Sequence, residues 1–167
     1  MKSLKTLVSF TALTVCMGAA SMASATAITP NPSAFSTPGG TIAVSSPASL
    51  GAPVTCGITF TGSVATGGAS ASITGATVTG GGLCGVPVLL GLPWTLTPSG
   101  AGPSVFTGTV SGVNFNILGD CATAPVTIAV TFNNATNTLS IPATQTVGKC
   151  KITKLEVKPS PAFVITP

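Results

Sequence analysis

Four cysteines divide this chain more firmly than any other feature. Cys56 and Cys84 bound one segment, and Cys121 and Cys150 bound another of almost equal length. Alternating apolar and hydroxyl residues accompany each pair: Cys56-Gly-Ile-Thr-Phe-Thr61 in the first segment, Val126-Thr-Ile-Ala-Val-Thr-Phe132 in the second. An even number of cysteines in an exported chain reads as a disulfide framework, and four cysteines allow three connectivities. Pairing of neighbours, Cys56 with Cys84 and Cys121 with Cys150, is the favoured one. A zinc site built from all four is the alternative, but the short Cys-x-x-Cys steps of zinc knuckles are missing.

Export is expected from the first residues. Lys2 and Lys5 form a short basic region, Leu7 to Ala20 is apolar, and Ala23-Ser-Ala25 has the small residues of a cleavage site. Residues 1–25 therefore read as a cleaved signal peptide, with a cut after Ala27 as second choice, and 26–167 as one β domain. Cys16 does not make a lipoprotein signal, because Val15 stands where a small residue is needed. No run beyond Ala25 is long enough for a transmembrane helix. The expected location is extracellular or at the cell surface, with the periplasm as a further option.

The rest of the chain reads as short strands. Cys56, Ile58 and Phe60 share one parity, with Thr55, Thr59 and Thr61 on the other. That is the period-two signal of a half-buried strand. Val126, Ile128, Val130 and Phe132 repeat it. Parity changes between Ile73 and Val78, so a kink or bulge is expected near Gly75; it changes again after Ser111-Gly112 and between Ile152 and Leu155. Gly67-Gly68 and Asn133 to Asn137 read as turns, Pro98 to Pro103 as a loop. No segment carries a helical stripe. The expected fold is all-β: an antiparallel β-sandwich or related barrel, stabilised by disulfides. Strand order is not legible.

Charge excludes most chemistry. Only 5% of residues are charged, and histidine and tyrosine are absent. Beyond residue 25 the charged groups are Asp120, Glu156 and the cluster Lys149, Lys151, Lys154 and Lys158. General acid–base catalysis needs titratable groups placed at a substrate. Asp120 with Glu156 as a glycosidase pair is the one candidate. The plainer readings are a turn residue after Gly119 and a counter-charge to flanking lysines. No serine has a histidine base, no glycine loop is followed by a phosphate-binding lysine, and no ligand set for a metal, flavin or haem is visible. A non-enzymatic protein without cofactor is expected.

Two surface candidates remain. The lysines form a possible basic patch for anionic lipid or polysaccharide; nucleic acid is not expected, since the compartment is wrong and arginine is absent. The preferred reading is a terminal strand whose lysines discourage edge pairing. The run Val86 to Leu96 is the second candidate. It reads as core with a bend, or as an apolar contact patch of Leu89, Leu92 and Trp94 in which Trp94 or Leu89 points outward. Asn134-Ala-Thr136 is a formal glycosylation sequon at a hairpin tip.

Several stretches resemble one family. They are Met1-Lys-Ser-Leu-Lys-Thr-Leu7, Ser46-Pro-Ala-Ser49, Pro53-Val-Thr-Cys-Gly-Ile-Thr-Phe-Thr-Gly62 and Ala71-Ser-Ile-Thr-Gly75. Gly91-Leu-Pro-Trp94, Asn134-Ala-Thr-Asn-Thr-Leu139 and the tail from Pro159 to Ile165 continue the likeness. Together they resemble the bacterial alkane-oxidation activator proteins of the PraB type. The resemblance implies a secreted helper of growth on long-chain alkanes that promotes contact with, dispersion of or uptake of the hydrocarbon. Its expected partner is an alkane or lipid surface, with self-association as a further option. It supplies no catalytic residues. The competing expectation is a cell-surface, pilus-like or biofilm-matrix subunit.

Overall fold

Alternation of apolar and hydroxyl side chains builds a closed wall. The computed structural model describes residues 26–100, 102–119 and 121–167. The expected signal peptide and Asp120 lie outside the described residues. The strands in chain order are β1 (Ala27–Thr29), β2 (Ser33–Ser36), β3 (Gly40–Ser45), β4 (Pro53–Val64), β5 (Ala71–Thr79), β6 (Val88–Leu90) and β7 (Trp94–Ser99). There follow β8 (Val105–Asn116), β9 (Val126–Asn133), β10 (Thr138–Ser140), β11 (Gln145–Val147), β12 (Cys150–Val157) and β13 (Val164–Thr166). Among the described residues the helical elements are two 3-10 turns, Pro47–Ser49 and Gly82–Gly85.

Pairing runs β3, β4, β5, β7, β8, β9, β10 and β12, and β12 returns to β3. All these pairs are antiparallel, and successive staves are neighbours in the wall. The result is an up-and-down barrel of eight staves rather than a sandwich. Three staves are made of two strands each. β2 and β3 both pair with β4, β6 and β7 both pair with β8, and β10 and β11 both pair with β12.

Breaks between these half-staves are mended by side chains. At the β2–β3 break the Thr37 amide donates to the Phe60 carbonyl (2.9 Å), and the Phe60 amide donates to Thr37 Oγ1 (2.8 Å). Thr37 is buried and serves as its own piece of ladder. Where β11 turns from β9, the Ala129 amide donates to Gln145 Oε1 (2.9 Å).

The parity changes in the sequence are register shifts in the wall. Thr61 faces Gly75 and Gly62 faces Ile73, so Thr74 is the extra residue. β8 shifts between Val110 and Val113 around Gly112, whose φ of +85° suits glycine. β12 shifts between Ile152 and Lys154, which returns Leu155 to the interior. One expectation fails. Pro98 is not in a loop; it lies within β7, opposite Gly108, one residue before the strand ends at Ser99. A Cβ on Gly108 would come within 2.8 Å of the Thr97 carbonyl, so the missing side chain lets the proline-bearing strand lie close.

The barrel interior is one continuous core reaching from Ile28 to Ile165. One end is plugged. β1 and β13 form a separate two-stranded ribbon there. Ile28 N donates to the Gly68 carbonyl of the β4–β5 turn (2.8 Å). On the opposite side of the barrel, the Asn134 side chain both donates to the Ile165 carbonyl (2.8 Å) and accepts from the Ile165 amide (2.9 Å). The ribbon therefore crosses the barrel end and seats Phe163 against Phe35 and Phe132, with ring centroids 5.1 and 6.3 Å apart. Asn134 is thus a structural tie, with both its side-chain oxygen and its side-chain nitrogen engaged.

Thr37→Val keeps the shape and leaves the buried Phe60 amide without an acceptor. It is expected to cost about 1–3 kcal/mol. A urea midpoint equal to that of the wild type would rule out the mending role.

Candidate functional site

The end opposite the plug is built differently. The β3–β4 turn, the 80–93 connection, the 117–125 connection and the β11–β12 turn meet there. Both disulfides lie at this end. Cys56 of β4 is bonded to Cys84, and Cys121 to Cys150 at the start of β12, with Cα atoms 5.5 and 5.0 Å apart. Each ties one of the long connections to a wall strand. The favoured pairing is the one found, and two disulfides fit an oxidising compartment.

Behind this end lies a cavity of about 70 Å³ inside the barrel. Its lining runs down β4 through Val54, Cys56, Ile58 and Phe60, and round the wall through Ile42, Trp94, Val113, Ile128 and Ile152. Ser46 is the lining residue with a polar side chain other than the paired Cys56 and the indole of Trp94. Its hydroxyl accepts from the Ser49 amide (3.3 Å) in a capping box. Trp94 Nε1 donates to the Leu90 carbonyl (2.9 Å). The lumen therefore offers a guest dispersion contacts and few free hydrogen-bonding groups. Val54, Val78, Leu83 and Leu89 are half-buried lining residues, so the space reaches the outside at this end.

The rim is aliphatic as well. Leu50, Leu118, Val88 and Leu90 are exposed by 96%, 70%, 57% and 37%. They belong to three of the connections that meet here. Leu50 and Leu118 also have φ of +53° and +50°. Left-handed backbone is uncommon outside glycine, asparagine and aspartate. Two leucines therefore hold an unfavourable conformation without burying their side chains. The outer wall is the opposite: Thr55, Thr61, Thr95, Thr97, Thr107, Thr109 and Thr127 face solvent. Apolar inside and hydroxyl outside is the reverse of a lipid-facing barrel wall. Among the described residues no helix is long and apolar enough to cross a membrane.

The expected contact patch is distributed otherwise than the sequence implied. Trp94 is buried and packs near Phe60 at 6.4 Å, so it does not point outward. Leu89 is half-buried and lines the lumen, and Leu92 is half-buried against the core. Their neighbours Val88 and Leu90 take the exposed positions, because β6 pairs with β8 with Leu89 turned inward opposite Phe115. Leu50 and Leu118 were missed. A usable signal was present: Leu50-Gly51, Leu90-Gly91 and Leu118-Gly119 each place a leucine before a positive-φ glycine.

Lys149, Lys151, Lys154 and Lys158 are all exposed. Their role as guards of an edge is overturned. β12 lies inside the wall, with β3 on one side and β10 and β11 on the other, so it is not an edge strand. Lys154 pairs with Glu156 at 3.4 Å, an exposed contact of little energetic weight. Among the described residues no group of histidine, cysteine or acidic side chains has a metal-site arrangement.

Removing the Cys56–Cys84 bond by a double change to alanine is expected to cost about 3.5 kcal/mol in the chain-entropy account. It should also raise hydrogen exchange across residues 80–87 while β8 and β9 stay protected. Equal exchange in both forms would show that the bond does not hold this connection.

No curated protein and no solved structure matches the chain. A family description does match, over residues 1–167: alkane oxidation protein activator, PraA/PraB-like. The match spans both the plugged barrel and the leading residues, and on it the chain belongs to the PraA/PraB-like family of alkane oxidation protein activators.

Proposed function

We propose that the protein is an exported, non-catalytic helper that carries out its activating role by contacting hydrocarbon at the open end of the barrel. The observation that carries this reading is the aliphatic rim of Leu50, Val88, Leu90 and Leu118 around an apolar lumen. Each aliphatic side chain moved fully from water into hydrocarbon is worth about 1.5–3 kcal/mol. Four on one rim suffice to hold the molecule at an oil–water boundary, with its threonine wall in the aqueous phase. Few charges oppose crowding of neighbours there. The disulfides support the reading by keeping the rim connections in place when water is replaced by oil.

The location that suits this role is the cell surface or the medium of alkane-grown cells. The competing role, a pilus-like or biofilm-matrix subunit that donates strands, has less support. Strand donation needs an unpaired edge. The wall closes on itself through β12 and β3, and the stretch of β5 without a partner on the β6 side, Thr74 to Thr79, lies beneath the 80–87 connection held by Cys84.

The test is adsorption of the purified disulfide-bonded protein to hexadecane droplets. The wild type is expected to slow coalescence. Leu50→Asp and Leu118→Asp should each weaken adsorption by about tenfold or more without unfolding, since both side chains are exposed. Adsorption of both variants at the wild-type level would sink the proposal, as would wild-type droplets that coalesce as fast as in buffer.

A further inference from the structure

The rim explains contact with hydrocarbon but leaves the lumen without a task. A cavity of about 70 Å³ exceeds several times the roughly 10–15 Å³ that one water needs. A buried water also needs two to four polar partners, and apolar cavities that lack them stay dry and take apolar guests. The lining here provides no cluster of free polar groups: Ser46 is engaged in its capping box, Cys56 is paired, and the Trp94 indole is bound to the Leu90 carbonyl.

The shape selects among apolar guests. On β4 the lining extends from Val54 to Phe60. Those positions span about 20 Å at the usual rise of a strand. Lining residues spread over that much strand around only about 70 Å³ favour a narrow guest over a round one. Phe60, Ile73 and Leu139 form its floor, since they line both this cavity and the smaller one of about 20 Å³ beneath Phe35 and Phe163.

The wall has an opening that leads to this space. β5 pairs with β7 only over Ala71–Ile73, and β6 pairs with β8. The upper half of β5, Thr74 to Thr79, therefore has no ladder to β6. The 80–87 connection lies over that gap, held by Cys84, with Leu83 and Pro87 facing the lumen. Unlike at the other breaks, no side-chain hydrogen bond joins β5 to β6 among the described residues. Gly80-Gly-Gly82 supplies the turn, with φ of +135° at Gly80 and +60° at Gly82.

We propose that the lumen binds one unbranched aliphatic chain, admitted end-on between β5 and β6 beneath the 80–87 connection. This rests on the reading that the protein meets hydrocarbon at its rim, and it adds a stoichiometric site with a shape preference. A chain drawn from an oil surface is held singly, away from water, with its end against Phe60. Compact ring hydrocarbons of equal hydrophobicity are excluded by the width.

The protein carries its own reporter. Trp94 is its only tryptophan, is buried, and lines the lumen. A bromoalkane within the lumen quenches the indole by heavy-atom contact. With the purified disulfide-bonded protein and bromodecane below its solubility limit, Trp94 emission is expected to fall saturably at one molecule per protein. Bromoadamantane at the same concentration should leave it unchanged. Ile128→Phe, which fills the lumen from β9, should abolish quenching while droplet adsorption persists. Leu50→Asp and Leu118→Asp should do the reverse, weakening adsorption and sparing quenching, so the two readings fail separately. Absence of saturable quenching by bromodecane overturns the proposal. So does equal quenching by bromoadamantane, or full quenching in folded Ile128→Phe. Should Ile128→Phe not fold, the comparison of the two bromides decides alone.

Discussion

Closure of the wall is the interaction on which the rest depends. β12 pairs with β3 on one side and with the β10–β11 stave on the other. These ladders join residues near the two ends of the described chain, such as Thr41 and Glu156. Without them β3 and β10 would be free edges. The chain has few charges with which to protect an edge. Closure solves that problem geometrically, by giving β3 and β12 each other as partners. Alternation then does the rest: each stave turns apolar side chains inward and threonines outward, and the core follows.

The two barrel ends divide the labour. At one end the β1–β13 ribbon, held by Gly68 and Asn134, drives Phe163 between Phe35 and Phe132. At the other end two disulfides hold long connections around an open apolar space. A plug made of aromatic packing and a mouth made of covalent ties have different consequences. Packing excludes a guest from the plugged end, whereas a tether fixes a loop's attachment and still leaves room beneath it. Leu50 and Leu118 show the cost of the mouth. Both combine left-handed backbone with exposed side chains; at Leu50 that backbone closes the 3-10 turn, its amide donating to the Pro47 carbonyl (3.0 Å).

Legibility varied with the range of the interaction. Parity shifts at Ile73–Val78, Ser111-Gly112 and Ile152–Leu155 were readable because a bulge changes the pattern within one strand. Disulfide pairing followed from sequence proximity. The position of β12 was misjudged because four lysines near a chain end look like edge protection, and only distant partners reveal an interior stave. Trp94 was readable as buried or exposed from the same alternation. Its pairing with Ile73, and Leu89 opposite Phe115, put the tryptophan inside and left Val88 and Leu90 on the rim.

The amino-acid sequence by itself determined the all-β class, the strand alternation, the disulfide framework, the scarcity of titratable groups and the family likeness. Each of these is a property of residue types or of neighbours within a few positions. Only the tertiary structure decided that the wall closes, which end is plugged, and that Leu50, Val88, Leu90 and Leu118 share one rim. Those outcomes depend on register between strands far apart in the chain. A shift of one residue would reverse which side chains face the lumen, and no local pattern records that choice.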